Sequence, residues 1–467
     1  MKCIDLFRGL NKMPFVPHTE SDIREMLKEI GVGKIDDLFE SVPKEIRVGK
    51  LSDLPPALSE QEVYAELFTL AEQNMPLTGD ISFLGGGPMR MYTPAVIQAI
   101  ISRSEFITSY TPYQAEISQG MLQAIYEYQS MVSTLLGMDV VNASSYDVGS
   151  AAADALVVVR DNFRGKRNKI LVSNGLHPEI RDVMKTYNTG LGMEWVDVPL
   201  KSNGQTDIDA AKSLLDEKVA GIFIQYPTRH GVLEDLGPAG IPELLETVHR
   251  NKSLAVAVTN AIMCSVLSPP GHLGFDIAVA EGQPLGLPIS FGGPHLGIFS
   301  AKKDLIRKVP GRLSGKTVDI EGRRGYVLTL QAREQHIRRE RATSNICSNQ
   351  ALCALAACVY LGFYGKEGLP NLARRIMGLT QYAKKEISAR TKFTLLNPDV
   401  HHFHEFVVRC PKPAYEVNES LKEEGIIGGL PLDRWGEDEN CMLLGFSDQN
   451  TKEQVDLLVD ALSFIGK

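Results

Sequence analysis

The chain has 467 residues, 43% of them hydrophobic, enough for a substantial core and for two or three domains. A net charge of −8 argues against general nucleic-acid binding. No run of about 18 apolar residues marks a membrane span, and the first five residues lack the apolar core of a signal peptide. Seven cysteines, an odd count without a CxxC pair, fit a reducing cytoplasm and buried thiols better than disulfides.

In chain order, the first elements are helical. Thr19, Ser21 and Asp22 offer capping side chains, Ile23, Met26, Leu27 and Ile30 recur at helical spacing, and Gly31 is a stop signal. Ser59-Glu60-Gln61-Glu62 reads as a capping box that opens a helix through Val63, Leu67 and Leu70. Thr93-Pro94 starts another, with proline at the first helical position. Over 116–136, Ile117, Met121, Ala124, Ile125, Tyr128, Val132 and Leu135 form one helical face, and Gly137 follows.

From 142 to 301 strands and helices alternate. Strands are expected at 169–173, 194–198, 219–225, 254–259, 275–280 and 296–300. Most are continuous apolar runs, the pattern of strands covered on both faces, so the expectation is a doubly wound, mostly parallel sheet. Residues 331–341 and 347–364 read as helices leading to a C-terminal unit. There the order is helix, strand (402–409), helix, strand (442–446), helix, a small α+β domain. The expected organisation is a helical N-terminal segment (1–90), a large α/β domain (91–345) and a connecting helix with the small domain (346–467).

Several motifs invite chemistry. Gly85-Gly86-Gly87-Pro88 lacks the Gly-Lys-Ser/Thr ending of a phosphate loop and reads better as a turn. NASSYDVGSAAADA (142–155) leads from a strand into a small-residue helix start, a place suited to a phosphate, yet Asp147 would repel one and is better read as a helix cap. His401-His402-Phe403-His404-Glu405 suggests a metal, but a structural role at a strand edge is favoured. Cys347, Cys353 and Cys358 read as buried packing thiols. Residues 302–341 hold twelve Lys/Arg against five Asp/Glu, a local +7 beside −15 elsewhere. That polarity fits either internal ion pairs or an acidic partner.

GFDIAVAEGQPLGLPISFGGPHLG (274–297), residues 310–352, MPFVPHTESD (13–22), SFLGGG (82–87), TSYTPYQAEISQGMLQ (108–123) and NASSYD (142–147) together resemble the alpha-subunit (subunit 1) half of the glycine cleavage P-protein family, glycine dehydrogenase (decarboxylating). The resemblance runs from about residue 13 to the C-terminus. It implies a pyridoxal-phosphate (PLP)-dependent-transferase-like fold of the aspartate aminotransferase type: an α/β large domain with a mostly parallel sheet, plus a small α+β C-terminal domain.

Enzymes of that layout carry a Schiff-base lysine on the turn after the Asp-containing strand. Here no lysine occurs between Lys252 and Lys302, and Gln283 stands at the expected position, so no catalytic residue is assigned. Asn260 likewise stands where catalytic relatives, and usually this family, have an Asp on the ring nitrogen; Thr228, Arg229 and His230 replace a Pro-Asn-aromatic turn. The implied role is a subunit that completes the active site of a lysine-bearing beta subunit (subunit 2), which binds the PLP covalently. Glycine is decarboxylated there, and its aminomethyl group passes to the lipoyl arm of the H-protein. Gly292 and Gly293 are expected near the partner's PLP phosphate, and Tyr92, Tyr113 and His295 at the mouth of the shared site. No metal, nucleic acid or membrane is expected. The alternatives are a self-sufficient PLP-dependent transaminase- or desulfurase-like enzyme and a non-catalytic regulatory protein of the same fold.

Overall fold

A computed structural model describes residues 18–48, 55–74 and 81–466; residues 1–17, which include the start of the MPFVPHTESD motif, lie outside the described residues. The chain divides into two compact units, one ending at Met75 and one beginning at Pro76.

In the first unit the expected capping box at Ser59 forms, and the capping side chains at Thr19 and Asp22 form a second one. Helix α1 (Glu20–Ile30) is opened by Thr19, whose backbone N–H donates to Asp22 at 2.6 Å, and closed by Gly31 at φ 86°. Helix α2 (Glu60–Ala71) is opened by Ser59 and Glu62 in the same way. It buries none of its residues: Val63, Tyr64, Leu67, Phe68 and Leu70 are all exposed.

In the second unit the continuous apolar runs become a seven-stranded sheet. Its strands are β1 (Val140–Val141), β2 (Lys169–Ser173), β3 (Glu194–Val198), β4 (Val219–Tyr226), β5 (Leu254–Asn260), β6 (Ile277–Glu281) and β7 (Gly297–Ala301). The order is β1-β7-β6-β5-β4-β2-β3. Strands β3, β2, β4, β5 and β6 run parallel, while β7 is antiparallel to both β6 and β1. All six expected strands are present, with ends displaced by two residues at most. Ile222, Phe223 and Ile224 of β4 are wholly buried, each worth roughly 1.5–3 kcal/mol relative to exposure. Helix α3 (Ala95–Ile101) begins one residue beyond Pro94, which caps it. Helix α4 (Gln119–Leu136) starts three residues later than expected and buries Met121, Ala124, Ile125, Tyr128 and Val132 of the predicted face, but Ile117 lies before it and is exposed and Leu135 is only partly buried; Gly137 ends it in the left-handed conformation. Helix α5 (Val148–Asn162) lies close to the sheet because its buried side is Gly149, Ala151, Ala152 and Ala155. Helices α6 (Pro178–Leu191) and α7 (Ile241–Arg250) complete the layers.

Two expectations differ. The segment after β7 forms a hairpin, β8 (Leu313–Val318) with β9 (Arg324–Thr329), packed on α4. Residues 331–341 are then separate short turns and not one helix, because Leu330 and Arg339 adopt positive φ and interrupt it. Helix α8 (Ala351–Arg390) runs 40 residues, starting later and ending far beyond the expected 347–364, with a break at Gly365 (φ 59°).

The C-terminal part is an antiparallel sheet of β10 (Thr394–Leu395), β11 (Glu405–Arg409), β12 (Leu430–Pro431) and β13 (Cys441–Gly445), in the order β10-β11-β13-β12. Helices α9 (Ala414–Glu423) and α10 (Lys452–Ile465) accompany it. Ile81–Ser82 pairs with Ile426–Ile427, and Phe83 packs on Phe446 at 5.4 Å between ring centres. The Gly85–Pro88 turn is thereby tied to this small sheet before the chain crosses toward the large one. Among the described residues no helix is long and apolar enough to cross a membrane.

Candidate functional site

A cavity of about 420 Å³ lies at the carboxyl ends of β4, β5 and β6, where open α/β sheets place their ligands. The N-termini of α5 and α6 close one side. The Gly86–Met89 turn and His404-Glu405 close another.

Gln283 lines the cavity and is 1% exposed. Its Oε1 accepts from the Met89 backbone N–H at 3.0 Å. Its Nε2 donates to the Met89 carbonyl at 3.0 Å and the Leu287 carbonyl at 2.7 Å. Gln283, expected at the lysine position, therefore reads the backbone of Met89 from both sides, as a neighbouring strand would. Asn260, on the end of β5, accepts from the Met263 N–H at 3.1 Å and turns its Nδ2 toward the Met89 sulfur at 3.8 Å.

The helix start, whose position suits a phosphate, is filled by carboxylates. Asp147 caps α5, accepting from the Ser150 N–H at 2.7 Å, as the sequence led us to expect. Glu281, the last residue of β6, accepts from the Val148 N–H at 3.2 Å through Oε2. Its Oε1 takes the Gln283 and Leu296 N–H groups at 2.9 and 3.0 Å. Two negative groups therefore sit where an anion would otherwise meet free amides and the positive end of the helix dipole.

Opposite them, burial alone would raise the Glu405 carboxyl; the His404 imidazole, 3.0 Å away, and the Gly86 N–H at 2.7 Å outweigh it and hold Glu405 below its usual range. The His177 imidazole contacts the Gly86 carbonyl at 3.0 Å. His295 lies in this cavity, with Nδ1 3.6 Å from Glu281, which pushes the imidazole above its ordinary range against the effect of burial.

The other residues expected at a mouth are not brought together with His295. Tyr92 lines a separate cleft with Tyr364, Arg375 and Asp448, and its N–H donates to the Asp448 carboxylate at 3.0 Å. Tyr113 lines a third, where buried Arg312 donates to its hydroxyl at 2.8 Å and sits 5.2 Å over its ring. Gly292 and Gly293 occupy an exposed turn that meets no other side chain closely; Gly292 has φ 102°, which favours glycine. The neighbouring Phe291 is 91% exposed.

Three motif readings need correcting or completing. His402 and His404 are both buried, but they precede β11, which starts at Glu405, so strand alternation does not place them. His402 contacts Lys384 Nζ at 2.9 Å, and burial drives its imidazole down to about 3. No group of three metal-binding side chains occurs among the described residues. Cys353 and Cys358 are buried as expected, whereas Cys347 is exposed, because α8 begins only at Ala351. Glu281, His177 and Met89 were not singled out from sequence; the one usable signal was a carboxylate closing the apolar run of β6.

PLP does not fit this cavity. Gln283 cannot form an imine, Asn260 carries no charge to hold a ring nitrogen protonated, and the phosphate seat is occupied by Asp147 and Glu281. No Lys or Arg is among its described lining residues.

The sequence profile of the family described as "Glycine cleavage system P-protein" matches residues 13–462. The chain is 47% identical over 449 residues to a probable glycine dehydrogenase (decarboxylating) subunit 1 of Anoxybacillus flavithermus, covering 96% of this chain and 98% of that protein. A crystal structure of glycine decarboxylase (P-protein) of the glycine cleavage system, in inhibitor-bound form, superposes with a TM-score of 0.87 at 40% identity, over 97% of this chain and 100% of that one. A NifS-like protein shares the fold alone, with a TM-score of 0.62 at 15% identity over 83% of this chain and 99% of its own. The large α/β domain of PLP-transferase type with a small α+β domain, expected from the resemblance, is the fold present. Over nearly its whole length, the chain belongs to the glycine cleavage system P-protein family.

Proposed function

We propose that the chain is the cofactor-lacking subunit of a two-subunit glycine decarboxylase. PLP belongs to this fold and family, but the lysine and the phosphate site that hold it lie on a homologous beta subunit. The cavity just described carries the reading: its reactive position is an amide and its anion seat is filled from within. The chain then contributes a wall to its partner's site and does not run the reaction alone. The working complex has two copies of each subunit and operates in the cytoplasm.

The surface supports a partner. Ile107, Tyr110, Tyr113 and Ile117 are exposed before α4. The hairpin tip adds exposed Val318 and Ile320, and the next segment Ile337. Tyr113 against His336, and Gln119 bonded to Tyr326, join these segments into one face. Apolar side chains of that size in one area mark an interface. Gly292 and Gly293, in their exposed turn, can bring backbone N–H groups up to the partner's phosphate. The basic stretch leaves Arg324 and Arg338 exposed without an ion pair among the described residues. They would steer an acidic lipoyl carrier, the H-protein, toward the shared site. Arg323 is already paired with Asp319 and Glu321, and Arg333 is spent on backbone carbonyls.

Co-expression with a homologous lysine-bearing chain tests the proposal. The pair should co-purify, hold PLP on the partner alone, and exchange glycine carboxyl with bicarbonate only when both chains are present. A stable monomer that ignores the partner, or decarboxylation by this chain alone, rejects it. A self-sufficient transaminase- or desulfurase-like enzyme is disfavoured by the same cavity.

A further inference from the structure

Arg229 and His230 stand in the turn after β4, where the family pattern has a Pro-Asn-aromatic turn. Neither lines the cavity. Both reach instead to the small domain, where Glu437, just before β13, receives them as a fork. His230 Nε2 donates to Oε2 at 2.8 Å, and Arg229 Nη2 lies 2.9 Å from Oε1. The Arg229 and Glu437 side chains are 23% and 22% exposed, and His230 is buried. Burial alone would raise the Glu437 carboxyl; the His230 and Arg229 contacts outweigh it and hold Glu437 below its ordinary range.

The segment that carries Glu437 meets the large domain at a second place. Trp435 packs edge-on against the His177 ring at the start of α6, with 4.9 Å between ring centres. On the large-domain side the Arg229 N–H donates to the Gly175 carbonyl at 2.8 Å, so the turn after β4 and the start of α6 form one seat. On the small-domain side Leu432 is wholly buried with Val407, Cys441 and Leu443, which ties the segment to its own sheet.

The two domains have separate cores. Ile376 of α8 belongs to the large one, and Ala383, about two turns further on, to the small one. Bodies joined in this way move against each other unless their interface is strong. In proteins with a cavity between domains, a bound ligand is a common agent of closure. PLP does not fit this cavity, so closure has to be held from within. Phe403, which packs into the large core, supplies an apolar hold, and the Glu437 fork supplies a charged one.

We propose that Arg229, His230 and Glu437 form a lock that keeps the small domain closed on the large one without any ligand. Turn positions with no cofactor to serve have become the seat of an internal counter-ion. The lock is a property of this chain alone and stands whether or not a partner subunit exists.

Amide hydrogen exchange of the full-length chain, read residue by residue, tests it. The Leu233 N–H donates to the His401 carbonyl at 2.9 Å, a backbone bond between the domains that does not involve Glu437. If the lock holds the domains, Glu437→Gln raises the frequency of opening, and exchange at Leu233 should quicken about tenfold while amides inside β4 keep their rate. Should that variant fail to fold, Glu437→Asp serves instead: it keeps the charge one methylene short, and about a threefold rise is expected. Adding PLP or glycine to the parent chain should leave Leu233 unchanged. A pair that merely steadies its own turn would quicken exchange at 432–438 and leave Leu233 alone, and that result overturns the proposal. Slower exchange at Leu233 with PLP or glycine also overturns it, because a ligand would then be the agent of closure. Neither readout depends on co-purification or glycine exchange, so this inference and the two-subunit reading can fail separately.

Discussion

Replacing Gln283 with alanine probes the central claim, that the residue at the lysine position has become a structural clasp. The change deletes one acceptor and two donor contacts, stranding the Met89 N–H and the Met89 and Leu287 carbonyls. Each buried backbone group left alone costs about 1–3 kcal/mol. The adjacent cavity lets water reach some of them, so we expect a net loss of about 3 kcal/mol, concentrated in the Gly85–Met89 turn. Local opening then becomes about a hundredfold more frequent. Hydrogen exchange followed by mass spectrometry on peptides spanning 84–92 reads this directly, with peptides from β4 as the internal control. Gln283→Glu is expected not to rescue. It keeps an acceptor for the Met89 N–H but turns its second oxygen toward two carbonyls. If the Met89 amide in Gln283→Ala exchanges within about threefold of the parent, the clasp reading is wrong.

Gln283→Lys alone should yield no borohydride-stable pyridoxyl adduct, since Glu281 and Asp147 still fill the phosphate seat; a stoichiometric adduct at residue 283 would contradict that account. Burial pushes the Glu234 carboxyl up to about 7, against its contacts with Thr206. Because the folded pKa is raised, the protonated form favours folding, and that contribution is complete below about pH 4.5 and lost as pH rises through 7. Urea midpoints of Glu234→Gln should lose a corresponding part of the decline between pH 5 and 7, at most about 1.4 kcal/mol per pH unit, and an unchanged slope would show that Glu234 is not responsible. Gly293→Trp meets only His295 at the edge of contact, so the chain should stay folded while the two-subunit complex loses PLP about tenfold more readily; equal retention removes the turn from the partner's phosphate site. Arg324→Glu with Arg338→Glu should weaken the carrier's apparent affinity most at low salt with PLP content constant, and carrier kinetics unchanged at every ionic strength would make this face structural.

The large sheet was legible because its strands are unbroken apolar runs, which few alternatives satisfy. The hairpin β8–β9 was not, because Lys316 and Arg324 interrupt its strands and each strand has only two buried residues, Leu313 and Ser314 in one, Tyr326 and Leu328 in the other. Residues 331–341 have helical composition, yet Leu330 and Arg339 take positive φ and Arg333 reaches back to the carbonyls of Leu330 and Gly311. Such tertiary competition for backbone groups leaves no trace in spacing. At the site, the missing lysine and the Asp147 cap could be read directly. The role of Glu281 could not, since its three N–H partners come from α5, the turn after β6 and the start of the return strand.

The filled anion seat also separates this chain's folding from cofactor supply. A protein that binds its cofactor only when native gains stability in proportion to the logarithm of the free cofactor concentration, and loses it when that concentration falls. Here Asp147 and Glu281 are tethered occupants of the seat, present at the same effective concentration whatever the cell contains. During vitamin B6 shortage a lysine-bearing partner would be thinned out by unfolding and proteolysis, while this chain would persist at its usual level. Assembly could then resume as soon as newly loaded partner appears, without waiting for this half to be made again.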